Sequence, residues 1–206
     1  MNLPNRLTLL RILILPLILL FMLPLPGDVF AGWNAFVTGP GPLVALLLFA
    51  LASLTDWLDG HIARSRGLVT KLGAFLDPIA DKMLVLTVFI VLVERGRISS
   101  IVPIVVLLRE FGVSGIRMLA AERGIVIAAG WLGKVKTVTQ LIALHLILLE
   151  CGLAGLPGAG TGVPATLIPI LTWLGNLALL VSVVMTIWSG LDYFVKNRSV
   201  LGDGTS

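Results

Sequence analysis

Long apolar runs divide the chain into six segments, separated by short connections rich in glycine and proline. A run of about 20 apolar residues is long enough for a helix to cross the hydrocarbon core of a bilayer. The pattern therefore predicts six transmembrane helices, over residues 7–25, 42–60, 74–94, 98–120, 130–150 and 165–194. The two longest connections, 26–41 and 151–164, are predicted to be loops.

Composition supports a membrane protein. Hydrophobic residues make up 57% of the 206 positions and charged residues only 13%, about half the share of an ordinary soluble domain. A soluble fold of this length could not bury so much apolar surface, and the one cysteine excludes an internal disulfide. The predicted fold class is all-α: a polytopic integral membrane protein with one domain over residues 1–206.

The basic residues predict the orientation of this bundle. Lysine and arginine concentrate on cytoplasmic connections, so a net charge of +4 indicates topology here rather than nucleic-acid binding. The termini and the connections after the second and fourth segments carry most of them, which places both termini in the cytoplasm. A cleaved signal peptide over the first segment is the weaker alternative, because its removal would leave an odd number of helices.

Four acidic residues lie at the predicted cytoplasmic ends of two strongly apolar helices. Asp56 and Asp59 are three residues apart, and Asp77 and Asp81 are four apart, so each pair shares one helix face. A short connection makes the two helices antiparallel neighbours, so the four carboxylates can converge. Ionisable residues in apolar segments are costly to bury and indicate a functional site.

Converging carboxylates need cations, because each pair at 4 Å repels by about 4 kcal/mol at an effective dielectric constant of 20. Lys82 and Arg64 could supply two positive charges, whereas two divalent metal ions would supply four. An all-oxygen ligand set favours Mg²⁺ or Mn²⁺ over zinc. His61 lies two residues from Asp59, off the acidic face, and is interpreted as an interfacial residue. Such a metal pair suits phosphoryl chemistry.

The acidic segment closely resembles the signature of the CDP-alcohol phosphotransferases. That signature, D-x-x-D-G-x-x-A-R-x8-G-x3-D-x3-D, is met at all eight fixed positions between Asp56 and Asp81. Residues 2–11, 73–82, 109–110 and 133–137 are similar to the phosphatidylglycerophosphate synthase branch of the family, although related branches share parts of these features.

The resemblance implies a fold, an activity and roles for individual residues. Members have six transmembrane helices, pair as homodimers, use two divalent metal ions and release CMP from a CDP-activated lipid, here CDP-diacylglycerol. The expected location is a bacterial cytoplasmic membrane, with the active site facing the cytoplasm. The metal ligands would be Asp56, Asp59, Asp77 and Asp81, with Asp81 also the catalytic base. The CDP site would be lined by Gly60, Ala63, Arg64 and Gly73.

The remaining cations point to the acceptor. Arg109 and Arg117 in the fourth segment, and Lys134 and Lys136 at the start of the fifth, are suited to bind a phosphate. Glycerol 3-phosphate fits such a pocket. The alternatives are a structural Arg109–Glu110 pair and a purely topological Lys136.

Three rival functions stay open at this point. Two lie within the family and use another acceptor: cardiolipin synthase and phosphatidylinositol phosphate synthase. The third is a divalent-cation transporter, which the lack of a repeated acidic motif disfavours. The roles of Asn5, Thr8 and Arg11 are open.

Overall fold

The computed structural model describes residues 3–66, 71–128 and 130–201, with side chains described for 7–55, 76, 78–128 and 130–200. These parts are helical and contain no strand. The helices are α1 (Leu3–Met22), α2 (Ala31–Thr38), α3 (Gly41–Arg66), α4 (Lys71–Glu94), α5 (Ile101–Glu122), α6 (Trp131–Ala154), α7 (Gly162–Lys196) and α8 (Arg198–Leu201), with a short 3₁₀ turn at Asp28–Phe30.

The six apolar segments predicted from the sequence each overlap one of the long helices α1 and α3–α7. The prediction that residues 26–41 form a plain loop was wrong. This connection contains the 3₁₀ turn and α2, and Asn34 fixes its start by bonding both the backbone N and O of Leu25 at 2.8 Å. The apolar sequence of α2 packs its Trp33 and Phe36 rings against Phe21 of α1.

Helical periodicity explains how the main core forms. In α1, Ile14, Ile18 and Met22 recur every four residues and are buried, while Leu13 and Leu17 on another face are exposed. α1 packs against both α3 and α4, which also touch each other, and α6 packs against α3, α4 and α7. The core accordingly joins apolar side chains of α1, α3, α4 and α6, with one residue, Val106, from α5.

Two glycines end helices that border the site described below. Gly96 and Gly124 have φ values of 67° and 73°, a conformation that L-residues with a side chain rarely adopt. Each allows the next residue to bond back across the last turn: Arg97 N donates to Leu92 O, and Ile125 N donates to Ala120 O. This is the Schellman arrangement, and it stops α4 and α5 sharply.

By length and composition, α6 and α7 can each cross a membrane. A third span results if Asp28–Thr38 and Gly41–Thr55, bent by 62° at their junction, are counted together. α5 is 22 residues long but carries Arg109, Glu110 and Arg117 within its apolar run. Many large apolar side chains of α7 are exposed, as expected where lipid rather than protein covers a helix. The described helices are thus those of a membrane protein, and the count of six spans stays a prediction.

Candidate active site

Asp81 lies on α4 at the wall of a cleft, with its side chain 48% exposed. It forms an ion pair with Arg11 of α1, whose side chain is completely buried. The packing of α1 against α4 brings the two together across 70 residues of sequence. A buried guanidinium needs a counter-charge, so this pair fixes one carboxylate oxygen of Asp81, a residue that also lines the cleft.

The cleft has a volume of about 610 Å³ and lies between α4, α5, α6 and α7. All four predicted acceptor-binding cations line it together with Asp81. The charged and hydroxyl-bearing side chains of its wall are Asp81, Lys82, Arg109, Glu110, Arg117, Lys134, Lys136, Thr137, Ser189, Asp192 and Tyr193.

Arg109 is held firmly in this wall. Its Nε donates to Ser189 Oγ at 3.3 Å, and its Nη1 donates to Glu110 at 3.0 Å. Two glycines leave room for it: a Cβ at Gly190 would lie 3.1 Å from Arg109 Cγ, and one at Gly133 would lie 3.3 Å from Nη2. The helices α6 and α7 therefore approach the arginine closely through residues without side chains.

Glu110 joins two of the predicted phosphate ligands. It accepts hydrogen bonds from Arg109 on its own helix and from Lys136 on α6. All three side chains are largely buried. One negative charge between two positive ones leaves this trio with a net charge of +1 beside the cleft, an environment suited to an anion.

Arg117 and Lys134 occupy more exposed positions of the wall. Arg117 Nε donates to Tyr193 Oη at 3.2 Å, and its guanidinium lies over the tyrosine ring, 5.6 Å from the centroid. Lys134 stands in the first turn of α6, and within the described part of the chain no acidic side chain pairs with it. Of the four cations predicted to bind the acceptor, it therefore has the fewest partners among the described residues.

Seven of the predicted site residues have side chains that lie outside the described ones. On α3 these residues are Asp56, Asp59, Gly60, Ala63 and Arg64, and on α4 they are Gly73 and Asp77. The structure describes only the helical backbone at these positions. The convergence of the four carboxylates therefore stays a prediction.

Among the side chains that are described, no three His, Cys, Asp or Glu residues gather closely enough to hold a metal ion. Asp81 by itself fits as one ligand of a hard cation, because it presents carboxylate oxygen at a half-exposed position. Lys82, considered above as an alternative counter-charge, donates to Ser114 Oγ instead.

The sequence reasoning missed a polar stripe on α7, of which Ser189 and Tyr193 line the cleft. On α7, Ser182, Thr186, Ser189 and Tyr193 recur at intervals of three or four and are all buried. A polar stripe on an otherwise apolar helix was a usable signal, because such side chains face the bundle rather than lipid. The buried Arg11, an arginine inside an apolar run, carried the same signal.

The chain is similar over nearly its full length to known proteins of one family. The model of the CDP-alcohol phosphatidyltransferase family matches residues 1–188. Curated relatives include CDP-diacylglycerol--glycerol-3-phosphate 3-phosphatidyltransferases from Bacillus subtilis (strain 168), 40% identical over 97% of both chains, and Rickettsia felis, 37% identical over 94% of this chain and 93% of the relative. The Salmonella choleraesuis protein of the same name is 32% identical over 98% of both chains. The chain belongs to the CDP-alcohol phosphatidyltransferase family.

Proposed function

We propose that this protein transfers a phosphatidyl group from CDP-diacylglycerol to glycerol 3-phosphate, giving phosphatidylglycerophosphate and CMP. The observation that carries the proposal is the cleft, whose wall contains Asp81 of α4 together with cations from α5 and α6. The full-length similarity to enzymes named for this reaction supports the same conclusion.

In this reaction the acceptor hydroxyl oxygen forms a bond to the phosphorus that carries the diacylglycerol. The bond from that phosphorus to the bridging oxygen breaks, and CMP leaves with the bonding electrons. Asp81 takes the hydroxyl proton, which raises the nucleophilicity of a poor nucleophile. Its exposed face in the cleft suits this role, and its pair with Arg11 holds it in place.

The donor would bind at the neighbouring ends of α3 and α4. Asp56, Asp59, Asp77 and Asp81 would hold two Mg²⁺ or Mn²⁺ ions, and Gly60, Ala63, Arg64 and Gly73 would surround the CDP group. When bound, the ions supply positive charge that stabilises the pyrophosphate and the departing CMP. The family signature in these positions supports this part of the proposal.

The acceptor phosphate would bind among the four cleft cations. Lys134 and Arg117 would contact it directly, because their terminal nitrogens have few competing partners among the described residues. Arg109 and Lys136 would contribute the net positive charge of their trio with Glu110. The positive charges of the cleft match a phosphate-bearing acceptor, and glycerol 3-phosphate fits within its volume.

We further infer six transmembrane helices with both termini in the cytoplasm, a homodimeric assembly, and an active site that faces the cytoplasm of a bacterium. The distribution of basic residues supports the orientation, and the six long helices support the count.

The proposal is tested by following labelled glycerol 3-phosphate into lipid. Purified protein with CDP-diacylglycerol and Mg²⁺ or Mn²⁺ is expected to convert the label into a chloroform-soluble product. Omission of CDP-diacylglycerol should abolish the conversion. Absence of labelled lipid from the complete mixture would contradict the proposal.

A further inference from the structure

Tyr193 is the only tyrosine in the sequence, and it occupies a protected position beside the cleft. Its side chain is 7% exposed and belongs to a small core with Val113, Ile116 and Ala120 of α5 and Val200 of α8. Packing on several sides leaves the ring little freedom to move. The residue thus offers a fixed point at the junction of α5, α7 and α8.

The contact that Tyr193 makes with Arg117 is double. The phenol oxygen accepts a hydrogen bond from Nε at 3.2 Å, and the ring lies under the guanidinium. Arginine side chains carry roughly 2 kcal/mol of rotamer entropy when free. Two contacts to an immobile ring remove much of that freedom before a ligand arrives.

The remaining donors of Arg117 are available to a ligand. Within the described part of the chain, no acidic side chain pairs with its terminal nitrogens, and the residue is exposed along the cleft. A guanidinium fixed through Nε keeps its two Nη groups for a bidentate contact with an oxyanion.

We propose that Tyr193 is a positioning residue for acceptor binding: it holds Arg117 so that the Nη groups meet the phosphate of glycerol 3-phosphate. The inference rests on the proposed function. It assigns Tyr193 no contact with the reacting atoms, so its effect is expected on acceptor binding and not on the chemical step.

Tyr193→Phe tests this directly, because it keeps the ring and removes only the phenol oxygen that accepts the hydrogen bond from Arg117. The KM for glycerol 3-phosphate is expected to rise about three- to ten-fold, the loss typical of one intramolecular hydrogen bond. The KM for CDP-diacylglycerol and kcat should stay within about two-fold of the parent protein. Ser182→Ala is the matched control, because Ser182 is buried on the same helix but bonds only to Leu179 O within the described chain.

A double-mutant cycle separates positioning from packing. Arg117→Ala alone should raise the KM for glycerol 3-phosphate, and Tyr193→Phe in that background should add no further increase. Arg117 is exposed, so its removal leaves the fold intact and keeps the test informative. Additive effects, or an unchanged acceptor KM in Tyr193→Phe, would overturn the role of Tyr193.

The activity of the parent protein with glycerol 3-phosphate distinguishes failure of the positioning role from failure of the proposed function. A parent protein that is active with glycerol 3-phosphate but insensitive to Tyr193→Phe refutes only the positioning role. A parent protein that is inactive with this acceptor refutes both.

Discussion

At the scale of single residues, charge inside apolar helices is the clearest guide to function in this chain. The sequence predicts the Asp motif because the spacing is local and places each pair of acids on one face of its helix, and the convergence of the two pairs stays a prediction. The ion pair of Arg11 with Asp81 could not be predicted, because the partners are 70 residues apart and meet only through helix packing. The same holds for Glu110, whose bond to Lys136 crosses from α5 to α6.

Asp81→Asn is expected to reduce kcat for CMP release by about 10²- to 10⁴-fold, the usual contribution of a general base. The amide keeps the size of the side chain but cannot take the proton from the hydroxyl group of glycerol 3-phosphate. The measurement is CMP release by the purified variant, with its thermal melting compared with that of the parent.

Asp192→Asn is the matched control for this variant. Asp192 also lines the cleft, but it pairs with Lys196 one turn away on the same helix, an exposed contact of low energetic value. Activity within about two-fold of the parent is expected. Full turnover in Asp81→Asn would exclude Asp81 as the base.

Lys134→Ala is expected to raise the KM for glycerol 3-phosphate by about ten-fold or more, because a direct charge contact with the phosphate is lost. The KM for CDP-diacylglycerol should change much less. Lys196→Ala, which removes an exposed lysine outside the cleft wall, serves as the control. An unchanged acceptor KM in Lys134→Ala would place Lys134 outside the phosphate pocket.

At the scale of elements, apolar runs were enough to locate the long helices but not to describe what joins them. The connection 26–41 is rich in glycine and has proline at both ends, which suggested a loop, yet its central apolar residues fold into α2. The contacts that hold this connection in place come from residues elsewhere in the chain. Arg95, from the connection after α4, donates to Met22 O and Val37 O and so covers the ends of both α1 and α2.

Gly39, directly after α2, and Gly155, directly after α6, approach each other closely at this end of the molecule. A Cβ added at Gly155 would lie 2.1 Å from the backbone oxygen of Gly39, closer than atoms can approach. The backbone would have to shift, because no flexible side chain is involved. Residues without side chains allow two backbone segments to approach this closely.

Gly155→Ala is therefore expected to destabilise the protein by about 1–3 kcal/mol, the usual cost of overpacking. Gly160→Ala is the matched control, since a Cβ there meets nothing within 4 Å and its φ is not positive. Thermal melting in detergent measures both variants. Equal melting temperatures for the two would show that the backbones at Gly39 and Gly155 do not approach as described.

At the scale of the whole molecule, polar groups concentrate at two ends of an apolar bundle. The cleft with Asp81 and Lys134 is at one end. At the other, Arg97 bonds Glu150 at 2.6 Å and Asn176 at 2.9 Å. Lys134 and Glu150 are 16 residues apart on α6, a separation of about 24 Å along the helix. This length approaches the hydrocarbon thickness of a membrane.

The inferred orientation predicts which connections are reachable from outside the cell. In a Cys151→Ser background, Ser100→Cys, just before α5, should react with an impermeant maleimide on intact cells. Ala128→Cys, in the connection after α5, should react only after the membrane is permeabilised. The reverse pattern would invert the topology and place the cleft on the wrong side for a cytoplasmic nucleotide.

The proposed function requires the cleft to accept a small phosphate-bearing alcohol. The most direct test measures CMP release by the purified protein with CDP-diacylglycerol and Mg²⁺ or Mn²⁺ against a panel of acceptors. The panel contains glycerol 3-phosphate, phosphatidylglycerol, inositol phosphate and glycerol. Release that depends on glycerol 3-phosphate alone is the predicted result. Release with phosphatidylglycerol or inositol phosphate, and none with glycerol 3-phosphate, would contradict the account.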